Sequence, residues 1–543
     1  MQEDNKSQFR IEDLADKSQL IKEYYSWLLD SKDISLESEL DVCLAISHRD
    51  PFIYYPTCLD DLFHTECLQK LGRISQLSTV FQSNPGAWHS RLDHSIATFG
   101  KKQEEHLYLW MHNPDFVKYV EENGLKKFIL AEEIKMLYHD VGHFPFSHVT
   151  EKQIIRKKGI HEKVGEDILL TNPEVVAILV RLGLYDAMRT VLTEDILNSH
   201  EHDEGNEDVD RKAYLETDIA HLGGIENPTR YPIYSRKIAK INPDGSYARN
   251  PDGSIILTDS LTPESKYIDI YDFSDISEVE NFLYTRETLY KKTFYHPTTL
   301  AHDTILGLVQ TEIAPKNPEH CHDLITYINL LQSGDFKSAK EYDEVDIFKS
   351  LISLGLNSDN PDVIDMVSLL FVPFTNWLNL MNAQLDKTKD SDFIRFINKN
   401  LIHGTSRFAQ NLRTKDFFEK NVIIAEEENS NLPRSAEAPH LIYNSHSFSA
   451  YNSSCPLYVE DSEGRVFPLE NHPNRSRDWQ NSRSSLDVVI CVLPLLKLQE
   501  VPSSTIDSYV TRCNELKSDA IGKPPISEKV FSYFENNSEG FEH

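Results

Sequence analysis

The sequence predicts a mainly α-helical protein: a helical bundle with a β-hairpin insertion and a mixed α/β C-terminal lobe. Three observations lead there. Apolar residues recur at spacings of three and four through most of the first half; paired turn signals interrupt that pattern between 226 and 275; and short strand-like runs lie near the C-terminus. In order, residues 12–30 and 36–47 show helical spacing, with Ser35 placed to cap the second. Pro51 breaks the chain, and helical periodicity returns over 62–81, 90–111 and 125–141, which together suit a bundle. Pro243-Asp244-Gly245-Ser246 then recurs as Pro251-Asp252-Gly253-Ser254, with Ile255, Ile256 and Leu257 after the second, the signature of a hairpin. Helical spacing resumes from Thr311 to about Phe418, and 426–454 is polar. Strand-like runs at 457–459, 465–469 and 488–496 precede a helix near 503–516. This divides the chain into an N-terminal helical segment (1–48), a central domain (49–310), a helical lobe (311–425) and a C-terminal region (426–543).

Composition limits the partners. Acidic residues number 86 against 55 basic ones, a net charge of −31, which argues against coating nucleic acid or anionic membrane through a general positive field. Any anionic ligand would have to be gripped locally. The longest apolar run, Val488 to Leu496, is broken by Pro494 and too short to cross a bilayer. The opening Met-Gln-Glu-Asp-Asn-Lys lacks a basic segment followed by an apolar one, so no secretory signal is expected. Seven scattered cysteines, never spaced Cys-x-x-Cys, suggest reduced thiols and a cytoplasmic location.

The chemistry is concentrated in His94, the adjacent His139 and Asp140, and Asp210. Two imidazoles and two carboxylates can chelate one divalent ion, and mixed nitrogen and oxygen donors suit Mn, Fe, Zn, Ni or Mg. Four His-Asp dipeptides occur, at 139, 202, 302 and 322. The first stands out by its context, Tyr138-His139-Asp140-Val141-Gly142-His143-Phe144-Pro145-Phe146-Ser147-His148, with Arg91-Leu92-Asp93-His94 upstream and Asp208-Val209-Asp210 downstream. The spacing puts His139 and Asp140 in the last turn of a helix ending at Val141. Arg91 and His94, three apart, share a helix face; Asp210, Tyr214 and Asp218, four apart with Arg211 beside them, share another. The acidic run His200-Glu201-His202-Asp203-Glu204 reads as a solvated loop rather than a second metal site.

These motifs resemble the HD superfamily of metal-dependent phosphohydrolases and, within it, the deoxynucleoside triphosphate triphosphohydrolases, from about residue 50 to 305. The resemblance implies cleavage of a dNTP at the α-phosphate, giving a deoxynucleoside and intact tripolyphosphate. By the same resemblance, Arg91, His143, His148, Arg211 and Arg286 would grip the triphosphate. His161 and Glu162 match the family's His-Glu pair, leaving the general acid open between His148 and His161. Gln76 and Leu77 would touch the deoxyribose, Asp218 its 3′ hydroxyl, and Tyr214 the pocket wall. Phe294 stands where the family usually has Tyr, and Ala213 replaces a common acidic residue.

Family members often form homo-oligomers with nucleotide effectors, and read a guanine effector with an Asp and an Arg. Here those positions carry His64 and Gly72, so GTP or dGTP is expected to activate poorly. Another nucleotide effector, or a protein partner on the insertion or the C-terminal region, would fit better. Some bacterial relatives deplete dNTPs in antiviral defence, a role implied here only through that resemblance. Two other readings stand beside this one: an HD phosphodiesterase or nucleotidase acting on another nucleotide, and a nucleotide-sensing scaffold.

Overall fold

The first helical pattern forms a helix, α1 (Ile11–Leu28), and the second does not. The spacing predicts helix over 36–47, yet Leu40–Leu44 is a strand, β1, paired antiparallel with β2 (Phe52–Pro56), Leu40 opposite Pro56. Leu40, Val42 and Leu44 satisfy a period of two as well as a helical one, and the aromatic, β-branched Phe52-Ile53-Tyr54-Tyr55 supplies the partner. The structure, a computed structural model, describes residues 11–29, 40–44, 52–194, 209–222, 234–271, 276–294, 297–359, 440–449, 451 and 456–492, apart from 85, 156, 158, 260–261 and 480–482, with single positions between 363 and 370. Ser35, Asp208, the 200–204 run, the helical pattern from 371 to 418, the polar segment up to 439 and the 503–516 helix lie outside the described residues.

The stretch 62–81 is a series of short pieces rather than one helix: α2 (Asp60–Phe63), α3 (Glu66–Gln69), a 3₁₀ turn at Lys70–Arg73 and α4 (Val80–Ser83). The break has a cause. Arg91 N–H donates to Ile74 O (2.9 Å), Gln76 N–H to His89 O (3.0 Å), and Ser75 pairs with Ser90 as an isolated bridge, so residues 74–76 are committed to a neighbour in space. Ser78, at φ 51°, then turns the chain into α4.

Helix α5 (Arg91–His112) begins where Ser90 and Asp93 form a reciprocal capping box. After α6 (Pro114–Glu122), α7 (Lys126–Tyr138) ends three residues before the predicted Val141. His139 is its C-cap and Asp140 sits in the following turn. The fully buried Glu133 on α7 accepts from Tyr24 Oη (2.6 Å) and Tyr25 Oη (2.8 Å) of α1 and faces His106 Nδ1 of α5 at 3.2 Å. Its satisfied carboxylate locks together the two helices that deliver the His-Asp pair and His94.

The chain continues through α8 (Ser147–Thr150), a π-helical turn at Glu151–Ile155, α9 (Ile160–Thr171), α10 (Pro173–Arg181) and α11 (Tyr185–Val191) to α12 (Val209–Leu222), which packs along α5. The predicted hairpin insertion supplies β3 (Tyr234–Lys240), β4 (Leu257–Thr258) and β5 (Ser265–Tyr271). Its two Pro-Asp-Gly-Ser turns close as the sequence implies: Gly245 and Gly253 take positive φ, and Asp244 and Asp252 accept from Ser246 and Ser254. Next come α13 (Ile276–Leu289), a π-helical turn at Tyr290–Phe294, α14 (Pro297–Leu308), another at Val309–Ile313, then α15 (His322–Ser333), α16 (Phe336–Ala339) and α17 (Glu344–Asn357).

Four C-terminal strands follow: β6 (His440–Ser449), inside the polar segment, β7 (Tyr458–Glu460), β8 (Val466–Pro468) and β9 (Arg483–Val492). β6 pairs antiparallel with β9, His440 opposite Val492, so a polar run became a strand because a partner was present. β7 joins the insertion by pairing parallel to β5, giving one five-stranded sheet of order β4-β3-β5-β7-β8. One apolar core fills the bundle, and a second joins Phe144 and Phe146 of the His-Asp loop to Leu324, Tyr327, Ile347 and Leu351 of the helical lobe. Among the described residues no helix is long and apolar enough to cross a membrane.

Candidate metal centre and substrate pocket

The four predicted ligands converge from α5, the end of α7 and the first turn of α12. His94 Nε2 lies 3.1 Å from His139 Nε2 and 2.8 Å from Asp210 Oδ1. His139 Nε2 is 3.4 Å from both Asp210 Oδ1 and Asp140 Oδ1, and His94 Nε2 is 3.6 Å from Asp140 Oδ2. Ligands about 2.1 Å from one ion stand roughly 3.0–3.5 Å apart at octahedral or tetrahedral angles, so these separations fit a shared divalent ion. The donor chemistry agrees. His139 Nδ1 donates to Met136 O (2.7 Å), which directs its Nε2 at the ligand cluster.

Charge is managed tightly here. Burial opposes a proton on His139, but the charges of Asp140 and Asp210 outweigh it and raise the imidazole to about 9. Burial likewise works against charge on Asp140, yet Arg91, His139 and His143 hold it well below the usual carboxylate range. A cation must therefore displace a proton from His139 at any pH below about 9. Metal affinity should climb up to about tenfold per pH unit toward that value, with about one proton released per ion. Calorimetry in buffers of differing ionisation enthalpy measures this, and a pH-independent affinity near neutrality would contradict it.

Beside this centre lie the predicted phosphate and acid residues. Arg91 is buried and donates from Nε to Ser147 Oγ (2.7 Å), from Nη1 to Asp140 and from Nη2 to Gln76 O (3.4 Å), three of the five donors an arginine carries. The His143 ring stacks on that of His161 at 3.8 Å, and its Nε2 is 3.3 Å from Asp140 Oδ1. Burial and the Arg91 charge push His143 well below the ordinary histidine value, so it is a neutral imidazole. The approach of His143 to His161 is set by backbone: a Cβ on Gly142 would lie 1.9 Å from His161 O and 2.6 Å from Gly165 N. The loop then passes through Phe146 (φ 60°) and Ser147 (φ 49°), left-handed residues that each cost about 1–2 kcal/mol. Such strain persists only where surrounding structure enforces it.

Glu151 was not singled out from sequence, yet it organises this cluster. It sits in the π-helical turn after α8, and its carboxylate meets His161 Nδ1 at 2.7 Å through Oε1 and His148 Nδ1 at 3.2 Å through Oε2. Burial disfavours its charge, but these two bonds hold it far below the usual range. Both imidazoles thereby present Nε2 outward, His161 from a nearly buried position and His148 from a half-exposed one. Glu162 is largely exposed, 3.9 Å from His161 Nε2. The signal was local: Glu151 lies three residues after His148, one helical step on the same face.

Helix α12 carries the rest. Asp210, Arg211, Tyr214 and Asp218 descend it over about 12 Å. Buried Asp218 binds His89 Nε2 through Oδ1 (2.7 Å), and His89 stacks on His221 at 4.3 Å. His89, two residues before Arg91, was also missed by sequence reasoning. Asp218 Oδ2 and Gln76 Oε1 are buried acceptors with no protein partner among the described residues. Leu77 is buried beside Gln76. Beside Tyr214, buried Arg286 of α13 lies over the Tyr290 ring at 5.6 Å, and Phe294 meets Tyr290 edge-on at 4.9 Å. Tyr290, also unpredicted, links Arg286 to the Phe294 position; Tyr295 and His296 lie outside the described residues. His64 is exposed, its Nδ1 2.9 Å from Asp60 O.

No family model matches the chain. It is similar to the uncharacterized protein YwfO of Bacillus subtilis strain 168, with 26% identity over 48% of this chain and 53% of that protein. It is 23% identical to the uncharacterized protein MJ1154 of Methanocaldococcus jannaschii over 58% of this chain and 60% of that protein. With the protein named "Putative HD domain-containing protein L394" of Acanthamoeba polyphaga mimivirus it shares 24% identity over 53% of this chain and 62% of that one. The chain thus spans only 53–62% of the length of these relatives. A solved phosphohydrolase from Bacteroides thetaiotaomicron VPI-5482 has the same fold, with a TM-score of 0.54 at 18% identity over 84% of this chain and all of that one. That likeness gives the fold, while an HD domain is named only for the viral relative and a phosphohydrolase only for the solved neighbour.

Proposed function

We propose that the protein is a metal-dependent phosphohydrolase that cleaves deoxynucleoside triphosphates at the α-phosphate, releasing deoxynucleoside and tripolyphosphate. The observation that carries this reading is the single stripe on α12 running from Asp210 in the ligand cluster, past Arg211 and Tyr214, to Asp218 with one oxygen held by His89 and the other open. A divalent ion held by His94, His139, Asp140 and Asp210 would polarise a phosphoryl oxygen and acidify a water. The chain's own groups supply the rest. Arg91, Arg211 and Arg286 offer planar donors to phosphate oxygens. His161 or His148, each fixed through Nδ1 by Glu151, can deliver a proton from Nε2 to the leaving 5′ oxygen only as an imidazolium. Burial, which pushes His148 down to about 4, works against that form there. Asp218 and Gln76 can accept from the sugar 3′ hydroxyl, while the Phe294 ring adds bulk without a hydrogen bond to the sugar.

The protein loaded with Mn²⁺ and offered each dNTP and NTP, singly and in pairs, beside a deoxynucleoside monophosphate and a cyclic dinucleotide, should turn over the dNTPs preferentially. Pairing also exposes any effector. Arg286→Ala should raise KM for a triphosphate about tenfold or more while leaving metal content unchanged. Preference for the monophosphate or the cyclic dinucleotide would assign the same centre to another HD-type activity.

A further inference from the structure

We propose that Lys340 and Glu344, in the helical lobe, are positioning residues that hold the loop from Asp140 to His148 in its working shape, so that the placement of the lobe sets the geometry of the hydrolytic centre. Lys340 follows α16 and Glu344 opens α17, and both are buried. Lys340 Nζ donates to Val141 O (2.6 Å) and His143 O (2.7 Å), so one amine spans the loop on either side of Gly142. Glu344 Oε1 accepts from Phe146 N–H and from Ser75 Oγ, each at 2.9 Å. Phe146 is the first of the loop's two left-handed residues, and its amide is the one Glu344 takes.

From Glu344 the bonds run on toward the centre. Ser147 Oγ donates to Ser75 O (3.2 Å) and accepts from Arg91 Nε, and Arg91 in turn binds Asp140. Apolar contacts follow the same path, since Phe144 and Phe146 are buried in the lobe's core and the Phe146 ring meets Phe348 edge-on at 5.2 Å. Arg73 closes the edge of the joint by pairing with Asp343 at 2.5 Å. Packing alone does not account for this arrangement. An apolar pair of the same volume would dock the lobe without burying an amine and a carboxyl that burial pushes to about 7 from either side, whereas Lys340 ends on two loop carbonyls and Glu344 on the Phe146 amide.

This inference rests on the phosphohydrolase reading but not on which nucleotide is cleaved. The test uses the full-length, Mn²⁺-loaded protein with an equimolar mixture of the four dNTPs, together with amide hydrogen exchange across residues 141–149. Glu344→Ala should lower kcat about 10- to 100-fold, with KM and bound Mn²⁺ near wild type, and speed exchange in that loop. Glu344→Gln should restore both, because its amide oxygen accepts the same two bonds. Lys340→Met should behave like Glu344→Ala, which covers the case in which one variant fails to fold. Wild-type kcat and wild-type loop exchange in folded Glu344→Ala and Lys340→Met would overturn the proposal, as would a Gln variant as impaired as the Ala one. If the wild-type protein hydrolyses no dNTP, the substrate reading fails, and loop exchange alone decides the positioning role.

Discussion

Asp210→Ala should lose bound metal and lower turnover at least about 100-fold while the protein stays folded. Asp210 sits in the first turn of α12 with its side chain 44% exposed, so removing it opens no cavity in the core. Its Oδ1 is nevertheless the atom shared by both imidazoles, at 2.8 Å from His94 and 3.4 Å from His139. Asp140 cannot substitute by turning, because Arg91 holds its other oxygen. Metal analysis after dialysis, beside a thermal melt of the apoprotein, separates the two effects. A metal-replete, active Asp210→Ala protein would remove Asp210 from the ligand set.

Gly142→Ala should destabilise the protein by about 3 kcal/mol or more, and abolish turnover even where some fold survives. The added Cβ would meet backbone rather than a side chain that could swing aside: His161 O at 1.9 Å and Gly165 N at 2.6 Å. Either α9 or the His-Asp loop must move, and both carry site residues. Denaturant unfolding measures the first effect. Wild-type stability in this variant would show that the loop and α9 are farther apart than described here.

The centre was largely legible in the sequence because its ligands lie on elements whose local signals agree. Ser90 caps α5 through Asp93, so Arg91 and His94 fall in its first turn, and the i, i+4 spacing on α12 aligns Asp210 with Tyr214 and Asp218. What escaped was wired through space. His89 matters because α12 brings Asp218 beside it, 129 residues on. Lys340 reaches a carbonyl 199 residues away, which no local spacing encodes. The same limit explains the strand at Leu40–Leu44 and the broken stretch after Leu62. In both, a partner segment took the backbone hydrogen bonds that a helix would have used. The end of α7 was misplaced by three residues because the apolar stripe continues to Val141 after the helical bonding stops.

The identity of the first products tests the central claim most directly. Phosphorus NMR and chromatography of an early time point, with metal-loaded protein and a single dNTP, should show tripolyphosphate and deoxynucleoside rising together in equal amounts. No deoxynucleoside mono- or diphosphate should precede them, because in the proposed reaction the bond from the α-phosphorus to the 5′ oxygen breaks and both P–O–P bonds stay intact. Orthophosphate or pyrophosphate as the sole first phosphorus product would place the break elsewhere and contradict the assignment.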